Sequence, residues 1–258
     1  MAGPDTWDPN QYRRFAAERR RPFDDLLALL QPVPSGTVVD LGCGTGELTA
    51  KLHQHLEASE TIGIDSSAAM LDQARSQFAP GLRFEEGDLA AWTAVEPVDV
   101  VFANASLQWV PDHPALLASL VEGLAPLGQI AFQVPANHDH PAHTVAAELG
   151  SELGLQPVGP AASVLAPETY ATVLHELGLR TQHVRLQVYG FELAAAGDVV
   201  EWTKGTLLTG YRSQLDAETY ARFEAEYRPR LIDALGDRRP YFYAFKRILA
   251  WARWSGGR

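Results

Sequence analysis

The run Val38-Val39-Asp40-Leu41-Gly42-Cys43-Gly44-Thr45-Gly46 puts an acid near the end of an apolar stretch and three alternate glycines behind it. A second apolar run, Ile62-Gly63-Ile64, ends in Asp65. Glycines in this pattern let the backbone turn tightly and approach a ligand where a Cβ would collide. Asp65 can accept two hydrogen bonds from a ribose diol. A dinucleotide fingerprint has the spacing Gly-x-Gly-x-x-Gly, whereas this chain has Gly-x-Gly-x-Gly. A P-loop needs Lys-Ser or Lys-Thr after its glycines, and neither follows. Asp40 at the loop entrance would repel a pyrophosphate but suits a ligand carrying an ammonium and a sulfonium. The pattern therefore points to S-adenosylmethionine, with a ligand-free glycine-rich turn as the plain alternative.

Such a loop needs strands to carry it. Residues 37–41, 61–64, 82–86, 98–103 and 128–134 read as short buried strands, and 47–56, 67–77 and 114–124 as helices between them. Ser66 or Ser67 is the expected N-cap of the second helix. Alternation of this kind predicts an α/β fold, a parallel sheet with helices on both faces. Ligands of such sheets bind beyond the carboxyl ends of the strands, so the residues just after each strand matter most. After the third strand, Asp88 can accept from an adenine amino group while Leu89 packs on the ring. After the fourth, the small residues Asn104 and Ala105 would sit beside the cofactor and Trp109 would wall the pocket. Trp109 and Trp202 read equally well as core.

The second half is less regular. Residues 168–177 read as a helix with Pro167 near its first turn. Residues 182–191, with Val184, Leu186 and Val188 in alternation, and 241–251 read as strands, the second antiparallel, at one end of the sheet. That makes seven strands, mostly parallel. Residues 198–208 and 217–235 read as helices between them, where an α/β enzyme builds a substrate lid. The whole chain, 1–258, reads as a single domain, with 1–30 as an N-terminal cap segment and 195–239 as a helical cap insertion.

Composition narrows the classes. A chain of 258 residues, 46% hydrophobic, suits one large α/β domain. No apolar run approaches ~20 residues, so no membrane span is expected. Residues 1–22 are polar, so no secretory signal is expected either. The single cysteine, Cys43, excludes a disulfide framework and a cysteine-based zinc site, and predicts the reducing cytoplasm. A net charge of −11 argues against nucleic acid. It leaves room for a small anion held by local cations such as Arg13, Arg14, Arg19, Arg20 and Arg21, or Arg228, Arg230, Arg238 and Arg239. His138, His140 and His143 with Asp139 invite a metal, but no further ligand completes the set, and the segment reads as a loop without metal.

Several blocks carry a narrower likeness: Trp7-Asp8-Pro9 with Tyr12; Ala17-Glu18-Arg19 with Arg21-Pro22; Gly63-Ile64-Asp65-Ser66-Ser67 with Met70; and Phe102-Ala103-Asn104-Ala105-Ser106-Leu107-Gln108-Trp109 with Pro111-Asp112-His113. With them the chain resembles the trans-aconitate 2-methyltransferase family, within the class I S-adenosylmethionine-dependent methyltransferases of Rossmann-like fold. The resemblance implies methyl transfer to a carboxylate of trans-aconitate, giving a monomethyl ester and S-adenosylhomocysteine. Gly42, Gly44 and Gly46 would then pass the methionyl part, Asp65 the ribose, and Asp88 with Leu89 the adenine. The expected cofactor set is completed by Asp40, Cys43, Ser66, Met70, Asn104, Ala105 and Leu107. Tyr12, Arg19, Arg21, Gln108, Trp109, Lys204, Tyr211 and Arg212 are the expected substrate contacts. The chain departs from the family pattern at Thr209-Gly210, where an Arg-Pro pair is expected, and at His138 and His140.

A carboxylate is already ionised at neutral pH, so no acid–base residue is assigned. Acceptance at a hydroxyl or a carbon would instead require a base, with His113, His138 or His140 recruited and a bell-shaped pH profile. A non-catalytic S-adenosylmethionine-binding protein would bind and not turn over.

Overall fold

The computed structural model describes residues 16–156, 158, 163–205 and 207–255, with side chains from Arg20 onward. Its sheet strands are β1 (Thr37–Leu41), β2 (Glu60–Asp65), β3 (Leu82–Glu86), β4 (Val98–Asn104), β5 (Leu124–Pro135), β6 (Thr181–Leu193) and β7 (Tyr241–Arg253). The order across the sheet is β3-β2-β1-β4-β5-β7-β6. β1 pairs in parallel with β2 and β4, β2 with β3, and β4 with β5. Two backbone bonds fix the direction of β7: Ala136 donates to the Lys246 carbonyl and Trp254 to that of Gly128. The partner number falls as the β5 number rises, so β7 runs antiparallel, between β5 and β6. The expected mixed sheet of seven strands is present.

The helices among the described residues are α1 (Ala16–Leu27), α2 (Glu47–Leu56), α3 (Ala68–Ala74), α4 (His113–Glu122), α5 (Pro141–Glu152), α6 (Pro167–Glu176), α7 (Asp198–Lys204), α8 (Leu207–Arg212) and α9 (Ala217–Leu235). The structure divides into two compact units. One contains residues 20–134, 163–187 and 248–255; the other contains 16–19 and the described parts of 135–162 and 188–247.

The first unit carries β1 to β5. Val38, Val39 and Leu41 of β1 are fully buried, as a strand covered on both faces requires. Phe23 of α1 meets Phe102 of β4 edge-on at 5.7 Å. Ser67 caps α3, its hydroxyl accepting from the Met70 amide, and Asp112 caps α4 by accepting from Ala115.

In the second unit, α9 is tied to α5. The Tyr227 hydroxyl donates to the Ala142 carbonyl at 2.9 Å, and Arg230 grips Glu152 with both terminal nitrogens. Phe191, Trp202, Tyr243 and Phe245 form an aromatic cluster with centroids 4.9 to 6.1 Å apart.

Two local expectations are corrected. The segment around His143 is not all loop: α5 begins at Pro141, because the His140 ring accepts the Ala142 amide as an N-cap and Pro141 supplies a preset φ. The helix expected over 198–208 stops at Lys204, with Gly205 as its C-cap, and α8 starts at Leu207. On β6 the alternating Leu186 and Val188 stay about half exposed while Tyr189 and Leu193 are buried. β6 is the sheet edge, and along its second half the face bearing Tyr189 and Leu193 is the more buried one. No helix among the described residues is long and apolar enough to cross a membrane.

Candidate functional site

The glycine loop leaves β1 under backbone control. The Gly42 and Cys43 amides both donate to the Ile64 carbonyl, at 2.7 and 3.0 Å. Gly42 has φ +82°, and a Cβ there would lie 2.3 Å from the Ser106 Cβ. Gly46 packs against Phe84. Gly44 differs. It also has positive φ, at +56°, yet a Cβ there would meet nothing within 4 Å. The protein's own packing demands Gly42 and leaves space beside Gly44, which is where a ligand's approach would demand a glycine.

Asp65 organises this loop. Its Oδ2 accepts the Gly44 amide at 2.8 Å and its Oδ1 the Ser67 amide at 2.9 Å. Each oxygen keeps a second lone pair, so two acceptor positions remain for a diol. Asp40 is buried, and its Oδ2 accepts from the Thr49 hydroxyl at 2.6 Å. Its Oδ1 is buried without a partner. Burial pushes the Asp40 carboxyl up to about 7, the Thr49 bond opposes this, and the nearby Asp65 charge adds to it. Burial, followed by the charges of Asp40 and Asp65, raises the Cys43 thiol and keeps it protonated. That makes Cys43 a small loop residue, not a nucleophile.

Beyond β4 the chain makes a tight turn. Ala105 sits at φ +55° and donates to the Gln133 carbonyl. The Ser106 hydroxyl reaches the Leu41 carbonyl at 2.5 Å, fastening the turn to the glycine loop. Asn104 accepts from the Gln133 amide at 2.8 Å. Residues Leu107–Trp109 form a single 3-10 turn in which Leu107 is buried and Trp109 is 42% exposed. The Gln108 Nε2 donates to the Ala105 carbonyl at 2.6 Å, which leaves its Oε1 as another buried acceptor without a donor.

Asp88 and Ser66 are exposed, Leu89 is partly so, and Met70 is buried. The Asp88 Oδ1 accepts the Ala90 amide in an Asx turn. Asp40, Gly42, Cys43, Gly44, Gly46, Asp65, Ser66, Met70, Asp88, Leu89, Asn104, Ala105 and Leu107 thus all fall in one unit. Spare acceptors on Asp40, Asp65 and Gln108, with open space at Gly44, fit a ligand rich in N–H and O–H donors and carrying positive charge.

The expected substrate contacts are spread more widely. Tyr12 and the Arg19 side chain lie outside the described residues. Arg21 is exposed on α1, and Gln108 and Trp109 are on the turn after β4, all in the same unit. Lys204, Tyr211 and Arg212 are in the other unit. There Lys204 is paired with Glu224 at 2.5 Å and Glu201 at 3.2 Å. Burial opposes its charge, but the two glutamates outweigh that and hold the ammonium above its ordinary range. Tyr211 is buried and stacks on Phe223 at 5.1 Å. Arg212 is exposed, its guanidinium 5.8 Å from the Tyr220 ring centre.

None of the histidines that a base mechanism would recruit is poised as one. His113 is buried between the Leu107 carbonyl and the Tyr170 hydroxyl. His140 caps α5, and His138 is exposed. Among the described residues no cluster of histidines, cysteines and carboxylates could hold a metal.

Sequence reasoning missed Thr49, Ser106 and Tyr170. Thr49 lies nine residues beyond Asp40, and its hydroxyl is directed back at the carboxylate only because α2 folds over β1. Ser106 was inside a quoted motif, but only the clash at Gly42 gives it a role.

A methyltransferase-domain family model matches residues 38–128. The trans-aconitate 2-methyltransferase of Deinococcus radiodurans is 45% identical over 252 residues, covering 95% of this chain and 96% of that protein. The enzyme of the same name from Azoarcus sp. strain BH72 is 39% identical over 225 residues, covering 86% and 88%. A solved S-adenosylmethionine-dependent methyltransferase from Mesorhizobium loti matches with a TM-score of 0.51 at 22% identity, covering 91% of this chain and 97% of that one. That likeness speaks for the fold, which is the class I methyltransferase fold. Identity of this degree, sustained over nearly the whole length, means that the chain belongs to the trans-aconitate 2-methyltransferase family.

Proposed function

We propose that the protein transfers a methyl group from S-adenosylmethionine to a carboxylate of trans-aconitate, giving a monomethyl ester and S-adenosylhomocysteine. The observation that carries the reading is the pairing of Gly44, open to a ligand, with the spare acceptors of Asp40 and Asp65, on a chain of this family.

When bound, S-adenosylmethionine supplies a methyl group on a positively charged sulfur that leaves as a neutral thioether. Asp65 would hold the ribose hydroxyls, and Asp88 with Leu89 the adenine. Asp40 and Gln108 would accept from the methionyl ammonium. Gln108 suits that role through its side-chain oxygen, which is buried without a donor, while one of its two Nε2 hydrogens goes to the Ala105 carbonyl. The acceptor carboxylate is ionised at neutral pH, with a pKa near ~4, so the chain need not move a proton. Its contribution is alignment, worth roughly 7–11 kcal/mol for well-oriented partners, together with exclusion of water. The carboxylates that do not react require cations elsewhere. Arg212 leads the candidates among the described side chains, with Arg21, Lys204 and the Tyr211 hydroxyl behind it. Residues 195–239 are assigned to acceptor recognition and 1–30 to the same task. The partner is a small carboxylate, with no nucleic acid or membrane in the reaction. A cytoplasmic setting is supported by the single cysteine.

Calorimetric titration with S-adenosylhomocysteine, alone and in saturating trans-aconitate, tests the reading. Binding that trans-aconitate strengthens, with a methyl ester detected by mass spectrometry in turnover, is the expected result. Absence of cofactor binding would overturn it.

A further inference from the structure

His113 makes two hydrogen bonds from a site that is 1% exposed. Its Nε2 lies 2.9 Å from the Leu107 carbonyl oxygen, and its Nδ1 lies 2.5 Å from the Tyr170 hydroxyl. A carbonyl can only accept, so Nε2 carries the hydrogen in this arrangement and Nδ1 is the acceptor. The Tyr170 hydroxyl must then donate to Nδ1. Its oxygen in turn accepts the Leu165 amide at 3.3 Å. One ordered chain therefore runs from Leu165 through Tyr170 and His113 to Leu107, with every donor matched to an acceptor and the imidazole neutral.

What this chain holds is the turn after β4. Leu107 is its receiving end, and the neighbouring Gln108 carbonyl accepts from the Ser163 hydroxyl at 2.8 Å. The same turn is pinned to the glycine loop by Ser106 and carries the Gln108 oxygen that lacks a donor. A histidine that merely fills a core would tie two core elements together. This one ties a short 3-10 turn, with no side-chain cap of its own, to a helix beginning over fifty residues later.

We infer that His113, acting through Leu107 and backed by Tyr170, is a positioning residue that sets the turn so that Gln108 presents its side-chain oxygen to the cofactor. The inference rests on the methyltransferase reading of that site. It assigns His113 no proton transfer.

Protonation would disrupt the chain, because a cationic ring donates from both nitrogens and Tyr170 would lose its acceptor. Burial lowers the His113 pKa, while the Leu107 and Val110 backbone and the Asp112 carboxylate work the other way. The titratable groups facing the ring are Tyr170 from α6 and Asp112 at the start of its own helix.

The test is the affinity for S-adenosylhomocysteine of the wild type, His113→Leu, His113→Gln and Tyr170→Phe, measured by calorimetry from pH 5 to pH 8. Folding of each variant is checked by its unfolding transition. Loss of the Leu107 bond in a folded His113→Leu is expected to weaken binding about tenfold, as one buried hydrogen bond allows. His113→Gln retains an amide N–H for Leu107 and should recover most of that loss. It should also weaken less on the acid side than the wild type, keeping only the part that the Asp40 carboxyl sets. Tyr170→Phe keeps the ring and removes its backing, so it should fall between. Wild-type affinity in His113→Leu and Tyr170→Phe alike, or a His113→Gln with the same acid-side weakening as the wild type, would overturn the inference. A wild type that does not bind S-adenosylhomocysteine would instead overturn the methyltransferase reading itself.

Discussion

The Thr49 hydroxyl donates to one oxygen of Asp40 and leaves the other buried with no donor. A carboxylate in that position is costly to ionise, and its pKa rises from 3.8 to about 7. A group raised in this way contributes stability that is fully present below its unfolded pKa and is lost as pH rises through the folded value. The window here is about pH 4 to 7, and the full span is worth about 4 kcal/mol. Asp40→Asn keeps an acceptor for Thr49 and removes the titration. Ligand-free Asp40→Asn should therefore be more stable than wild type at pH 8, with the difference shrinking at pH 5 (chemical unfolding at both pH values measures it). A bound cation would stabilise the ionised form, so cofactor binding at pH 7 should release protons in the wild type and not in Asp40→Asn. Calorimetry in two buffers of different ionisation enthalpy reads that directly. An equal proton release in both proteins would remove Asp40 from the account.

Two glycines of the same loop should fail in different ways. Gly42→Ala drives a Cβ into Ser106, which is itself bonded to Leu41, so this variant should unfold at markedly lower denaturant. Gly44→Ala meets no protein atom within 4 Å. It carries only the strain of a non-glycine residue at positive φ, about 1 to 2 kcal/mol. Gly44→Ala should thus stay folded and lose S-adenosylhomocysteine binding at least tenfold. Retained binding in folded Gly44→Ala would mean that the open space beside Gly44 is not where the ligand lies.

Much of this was legible in the sequence because it is local. Short strand-like runs bounded by polar and turn residues, with helices between the first three, determine β1 to β4, and the structure places each within a residue or so of the expected bounds. α5 was hidden because its start depends on a histidine acting as N-cap, a rare use of that side chain. The break after Lys204 depends on one glycine inside an otherwise continuous pattern. At the site, residue types nominated Asp40, Asp65 and Asp88 but not what they touch. The Thr49 bond to Asp40, the Ser106 bond to Leu41 and the link from His113 to Tyr170 join residues 9 to 65 positions apart. Such pairings exist only once the sheet order is set.

His143 should dominate an opposite pH response. Burial, reinforced by the neighbouring His140, His138 and Arg247 charges, lowers its pKa from 6.5 to about 4. A depressed histidine contributes stability that is present above its unfolded pKa and is lost as pH falls through the folded value. Between about pH 6.5 and 4 that amounts to up to about 3 kcal/mol. This window overlaps that of Asp40, whose slope is opposite, so the readout is the stability difference between the two proteins: His143→Gln should gain on the wild type as pH falls from 6.5 to 4, with no further change in the difference above pH 7. A difference that stays constant across that window would place the titration elsewhere.

Acceptor recognition can be separated from general electrostatics by comparing two cations. Lys204 is neutralised by Glu201 and Glu224, and partly exposed pairs of this kind contribute about 0–1 kcal/mol to stability. Its removal also leaves two glutamates that would repel an anion, of which Glu201 keeps Arg228 at 3.7 Å. Lys204→Ala should therefore raise the KM for trans-aconitate by less than about threefold, a change of under ~1 kcal/mol. Arg212 rests on an aromatic face, which orients the guanidinium without neutralising it. A bidentate grip on a carboxylate is worth about 1.5–3 kcal/mol, so Arg212→Ala should raise the same KM at least tenfold. Neither substitution should change the affinity for S-adenosylhomocysteine measured without acceptor. Steady-state kinetics with trans-aconitate varied at saturating cofactor decides between them. A hundredfold effect at Lys204 with none at Arg212 would mean that the ammonium leaves its glutamates for the substrate.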